Sequence, residues 1–227
     1  MPAAPVQHAG AAVALLRGAL PPALCAQWLA QLEQGREPGP PVSRPLAALA
    51  APDAATVLQA LHASPVAAHV EAVLGPAPPC NLDQSWVRHG RPPHGWHQDG
   101  ALRFDFIAQA GRPLRDDDLL RMITCWIALT PCGADAPGLE WVDAPQPRLL
   151  RPAELQPEAV AARHDPSQLR RPVLQPGDAL VFDGRALHRT HVAPAMTRAR
   201  TSIELRFFAR PLAERVAGDR LAAWTRG

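Results

Sequence analysis

Within residues 201–208 the chain alternates: Ile203, Leu205 and Phe207 interleave with Ser202, Glu204 and Arg206. A period of two fits an extended strand, in which successive side chains point to opposite faces. The apolar face must be buried, so the chain contains a sheet with a core against at least that face. Strands are also predicted over 84–88, 120–129, 171–174 and 179–182, with Pro176, Gly177 and Asp178 as the turn between the last two. Before residue 81 the pattern is different. After a short apolar run at 13–16, Pro21 and Pro22 open a helix with Leu24, Trp28, Leu29 and Leu32 on one stripe, ending near Gly35. Residues 36–45 are rich in proline and glycine and read as a loop. Asp53 caps a helix to about His62, and Ser64 with Pro65 caps another that stops at Gly75.

Helices first and strands afterwards define an α+β chain, mainly β, whose strands form a sandwich or jelly roll. With 227 residues, a single domain over 1–227 is expected, with a helical third at about 13–75 and a β core at about 81–210. Residues 133–170 are a long, proline-rich connection with one short helix at 157–163, the kind of segment that often serves as a lid. No internal repeat is present.

Charge narrows the partners. The formal charge is +2, from 23 basic and 21 acidic side chains, and every basic one is an arginine. They are scattered and form no basic stripe, so nucleic acid is not an expected partner. No apolar run approaches the roughly 18 residues of a membrane span, and no signal peptide is evident. Cys25, Cys80, Cys125 and Cys132 show no C-x-x-C spacing and read as reduced thiols, so a cytoplasmic protein acting on a small molecule is expected. Oligomeric state is not legible.

The sharpest local feature is Gly95-Trp96-His97-Gln98-Asp99-Gly100. In an extended segment His97 and Asp99 project to one side and can reach one metal ion. Two imidazoles and a carboxylate on one face, with the opposite positions open, suit a non-haem iron(II) oxygenase. The second histidine must come from another strand. His188 fits best, following the apolar strand 179–182, while His191 is its rival three residues later. Twelve residues after His188 stands Arg200, whose planar fork would hold a carboxylate beside the metal. His89 and His94 lie near the first half of the motif. Asp105 and Asp116, Asp117 and Asp118 read as solvated loop acids.

Three stretches, GWHQDG (95–100), CWIALTPC (125–132) and PGDALVFDGRALHRTH followed by RTSIELRFF, resemble the phytanoyl-CoA dioxygenase family of iron(II)/2-oxoglutarate-dependent oxygenases. The resemblance implies a double-stranded β-helix core, of jelly-roll or cupin-like form, with the N-terminal helices packed outside it. It implies iron(II) on His97, Asp99 and His188, and 2-oxoglutarate held by Arg200 and Thr190, with Trp126 and Gln84 as further co-substrate contacts. Dioxygen would be the oxidant, and succinate and CO2 the by-products of hydroxylation. Because Asp99 is kept, hydroxylation is expected in place of halogenation. The substrate would enter over residues 101–118 and 133–170, past Phe104 and Phe106. A cupin-like protein holding zinc for structure or ligand sensing is the alternative, but a plain metal site needs no carboxylate clamp such as Arg200.

Overall fold

The computed structural model describes residues 13–34, 43–100, 122–213 and 220–222. Its strands, in chain order, are β1 (Val13–Leu16), β2 (Ser43–Pro45), β3 (Cys80–Gly90), β4 (Met122–Ala128), β5 (Gly138–Val142), β6 (Leu169–Arg170), β7 (Ala179–Asp183), β8 (His188–His191), β9 (Arg200–Phe208) and β10 (Leu221–Ala222). The helices are α1 (Pro22–Gln34), α2 (Ala54–His62), α3 (Pro65–Leu74), α4 (Pro157–Arg163) and the single turn α5 (Arg210–Ala213). A large sheet runs β1-β7-β4-β9-β3-β10 with β2 against β3, and a small sheet runs β6-β5-β8. All strand pairs are antiparallel. This is the jelly-roll core the sequence implied, with helices outside it.

The alternation in β9 explains both layers. Ile203, Leu205 and Phe207 join Trp28 of α1, Val57 and Leu61 of α2, and Val66 and Val70 of α3 in one core. Each fully buried side chain of this kind contributes roughly 1.5–3 kcal/mol. The other face of β9 is not solvent: all nine residues of the strand are buried. Its polar side chains point between the sheets, where Trp126, Leu180 and Phe182 of the large sheet meet Leu139 and Trp141 of the small one.

The helix boundaries fall where local chemistry places them. Asp53 accepts from the Thr56 amide at 2.7 Å at the start of α2, and Ser64 accepts from Val66 at 3.2 Å at the start of α3. The turn before β7 needs glycine at 177, where φ is +91° and a Cβ would stand 2.1 Å from the Leu20 carbonyl oxygen.

Three expectations change. The strand predicted over 171–174 is displaced: β6 occupies Leu169–Arg170, and only Leu174 makes a bridge, to Cys132. Pro172 has no N–H to donate, and the Arg171 side chain turns to Glu140 at 2.6 Å. Inside the stretch read as a loop, Ser43–Pro45 pairs with β3 as an edge strand, a position that tolerates Pro45. Finally, 133–170 is largely built into the fold. It supplies β5, α4 and β6, and its Val142, Leu150 and Val160 pack with Trp96 and Leu187 in a small core. Residues 101–118, with Phe104, Asp105, Phe106 and Asp116 to Asp118, lie outside the described residues. Among the described residues no helix is long and apolar enough to cross a membrane.

Candidate active site

His97 and His188 face each other across a short antiparallel bridge. The His97 amide donates to the His188 carbonyl at 2.9 Å, and the His188 amide returns the bond at 3.0 Å. Directly opposed residues project to the same side, and Asp99, two residues on, shares it. Backbone pairing thus sets the two histidines opposite each other and puts Asp99 on their side. Asp99 Oδ1 lies 3.8 Å from His97 Nε2 and 3.9 Å from His188 Nε2. Two metal–ligand bonds of about 2.1 Å span roughly 4.2 Å, so one ion can bridge either pair. All three ligand atoms lie within 4.8 Å of one another.

The histidine tautomers follow from their partners. His97 Nδ1 sits 2.7 Å from the Gly95 carbonyl and His188 Nδ1 2.9 Å from the Ala186 carbonyl. A carbonyl only accepts, so each Nδ1 carries the proton and each Nε2 presents its lone pair to the cavity. Burial, then neighbouring His188, pulls His97 down to about 4, and burial lowers His188 as well. Both rings are thus neutral, as metal ligation requires. For Asp99, burial is the largest single influence and pushes the carboxyl up, but its neighbours together, the Arg206 guanidinium foremost, outweigh it and hold the group well below the usual carboxylate range. Arg206 Nη2 donates to Oδ1 at 2.9 Å and the Thr124 hydroxyl donates to Oδ2 at 2.5 Å.

The triad opens on a cavity of about 250 Å3 that Arg200, Thr190 and Trp126 also line. Arg200 is 5% exposed; its guanidinium stands 5.5 Å from the Trp126 ring centroid, and its hydrogen bonds among the described residues are two long ones, to the Gly138 carbonyl at 3.4 Å and to Thr190 Oγ1 at 3.3 Å. Among the described residues no carboxylate lies within ion-pair distance of it, and burial lowers its pKa from the ordinary value. Nearby, Trp126 Nε1 is buried without a hydrogen-bond partner. A buried guanidinium and an orphan indole N–H in one pocket call for an anion, and this fits a dicarboxylate co-substrate. The mouth is more polar. Ser43, Arg88, His89, His94 and Glu204 line it, and Arg88 donates to Glu204 at 2.8 Å and to Ser43 at 2.9 Å.

Of the residues predicted from sequence, His97, Asp99, His188, Arg200, Thr190 and Trp126 converge on this cavity. Gln84 does not line it. It stands in a bulge of β3 between Asn81 and Trp86, where its carbonyl accepts from Arg206 Nη1 at 2.7 Å. His191 points to the outer face, with Nδ1 3.8 Å from buried Glu140. His94 stacks on His97 at a centroid distance of 3.9 Å. Three supporting residues escaped the sequence reading: Arg206, Thr124 and Gln98. Gln98 points away from the metal side. Its amide donates to the Arg148 and Arg185 carbonyls at 3.1 and 2.8 Å and its oxygen accepts from the Leu150 amide at 2.6 Å, which ties the motif to 146–150.

A jelly roll with a facial His-Asp-His triad and a buried arginine in the same pocket defines an iron- and 2-oxoglutarate-dependent enzyme. The chain belongs to the phytanoyl-CoA dioxygenase (PhyH) family, whose model matches residues 7–193. Arg200 lies just beyond the matched stretch, so its place in the site rests on geometry. No curated protein matches the chain. Among solved structures it is similar to HygX from Streptomyces hygroscopicus, with nickel and 2-oxoglutarate bound. The TM-score is 0.65 at 13% identity, over 88% of this chain and 84% of that one. It is also similar to the epimerase SnoN in complex with Fe3+, alpha ketoglutarate and nogalamycin RO, with a TM-score of 0.62 at 16% identity over 88% and 79% of the two chains. EctD from S. alaskensis, with 2-oxoglutarate and 5-hydroxyectoine, gives a TM-score of 0.62 at 13% identity, over 88% and 73%.

Proposed function

We propose that the protein hydroxylates an aliphatic carbon of a small molecule, with 2-oxoglutarate as co-substrate. The observation that carries this reading is Arg200: a buried cation, facing the triad's cavity, with no carboxylate within ion-pair distance among the described residues. A zinc site for structure or sensing would leave it unexplained.

His97, Asp99 and His188 would hold iron(II) through two Nε2 lone pairs and one carboxylate oxygen, leaving the cavity-side positions open. Iron(II), when bound, supplies dioxygen activation coupled to decarboxylation of 2-oxoglutarate to succinate and CO2. Arg200 would take the distal carboxylate of the co-substrate in a bidentate pair, with Thr190 and the Trp126 N–H donating alongside. Leu139 and Phe182 form the apolar part of the wall and exclude water from the reacting carbon. Ser43, Arg88 and His94 present polar groups at the mouth, so the part of the substrate outside the reacting carbon meets hydrogen-bonding partners. The four cysteines are free and buried, which fits a reducing compartment such as the cytoplasm.

The test is 2-oxoglutarate turnover by the purified protein with iron(II), ascorbate and dioxygen. Slow succinate release should occur without substrate, rise with a true substrate, and stop when zinc replaces iron. Iron-loaded protein that never forms succinate would overturn the reading.

A further inference from the structure

Asp99 is the one ligand whose direction the backbone does not fully fix. Among the described residues its segment has no strand pairing beyond the His97 bridge and the Gly100 amide, which donates to the Gly184 carbonyl at 2.8 Å. The carboxylate is nonetheless gripped at both oxygens. Thr124 and Arg206 are direct cross-strand partners on β4 and β9, so their side chains leave the same face side by side. Thr124 takes Oδ2 and Arg206 takes Oδ1, the oxygen nearest both histidines.

Arg206 is itself socketed. The β3 bulge breaks the ladder between Asn81 and Trp86, and there the Gln84 carbonyl accepts from Nη1 at 2.7 Å. In the same bulge, Ser85 accepts from the Arg206 amide at 3.1 Å and donates to the Asn81 carbonyl at 2.7 Å. Arg206 does not line the cavity; it stands behind Asp99. One fork thus spans a backbone carbonyl and a carboxylate, which a lysine could not do.

We propose that Arg206 and Thr124 are positioning residues that fix Asp99 as a one-oxygen ligand through Oδ1, setting both the metal affinity and the number of positions left for 2-oxoglutarate. With Oδ2 held by a hydroxyl, the carboxylate cannot swing to chelate through both oxygens and close a position the co-substrate needs. This inference rests on the metal and co-substrate reading above.

Cobalt(II) binding tests it, read by visible absorption on metal-free protein before and after 2-oxoglutarate is added. Thr124→Val removes only the hydroxyl donor. It should still bind cobalt, but with the weaker, shifted d–d band of a higher coordination number and with weakened 2-oxoglutarate binding. Thr124→Ser should restore the wild-type spectrum. Arg206→Lys should lose about 10–100-fold in cobalt affinity. If Arg206→Lys fails to fold by thermal melting, the Thr124 pair decides alone. A Thr124→Val variant with a lowered melting temperature but a wild-type spectrum and wild-type 2-oxoglutarate affinity would overturn the proposal, since a merely structural role behaves that way. Wild-type cobalt protein that ignores 2-oxoglutarate would instead sink the oxygenase reading, while the spectra without co-substrate still decide the clamp.

Discussion

The two candidate histidines of β8 separate cleanly because side chains three residues apart on a strand point to opposite faces. His188 is 5% exposed and faces Asp99, whereas His191 neighbours Glu140 on the outer face. His188→Ala should therefore abolish iron binding and turnover, and His191→Ala should leave both within about twofold; iron content and succinate release decide, and the reverse ranking would misassign the ligand. Protonation gives a second check. Burial, then the partner ring in each case, pulls His97 and His94 from 6.5 to about 4. Between those values the unfolded chain binds protons that the native chain refuses. Metal-free stability should thus be full above pH 6.5 and fall as pH drops toward 4. Melting temperatures of metal-free protein across that window read this directly, and a flat profile would contradict neutral buried rings. His97 and Asp99 were legible in the sequence because strand periodicity puts i and i+2 together whatever the fold, and His188 because it follows an apolar strand at a fixed remove from Arg200. Thr124 was not, because nothing local marks which core threonine meets a carboxylate 25 residues away.

At the level of elements, β9 shows what a pattern reveals and what it hides. Alternation identified the strand and its apolar face, but a polar face usually means water, and here it lines the interior. Alternation alone did not show that Glu204 and Arg206 face inward. The distinction is testable. Ile203→Ala, on the helix-packed face, should cost about 2–5 kcal/mol in denaturant unfolding while leaving cobalt affinity unchanged. A variant that loses metal affinity in the folded state would mean the two faces are coupled. Helix ends were legible for a local reason, since Asp53 and Ser64 satisfy amides only two or three residues away. The strand expected at 171–174 failed for a non-local one. Arg171 is drawn out of line by Glu140, 31 residues earlier, and Pro172 cannot join a ladder. The bulge of β3 was likewise invisible, because it is defined by its register against β9.

For the whole molecule, two sheets of unequal size create the pocket: the small sheet brings His188 and Thr190 over the inner face of the large one, where Arg200 and Trp126 wait. The helices need only bury the outer face of the large sheet, so their sequence carries no trace of the chemistry. Family membership was readable from short motifs because those motifs are the parts of the chain that build this cavity. The most direct measurement is an anaerobic titration of iron(II) protein with 2-oxoglutarate, following the visible charge-transfer band of the chelate and the iron content together. Wild type should develop the band. Arg200→Ala should keep its iron and lose tens- to thousands-fold in 2-oxoglutarate affinity, equivalent to about 2–5 kcal/mol for a buried charge left unpaired, with Arg200→Lys in between. Absence of the band in iron-loaded wild type, or unchanged 2-oxoglutarate affinity in Arg200→Ala, would contradict the assignment.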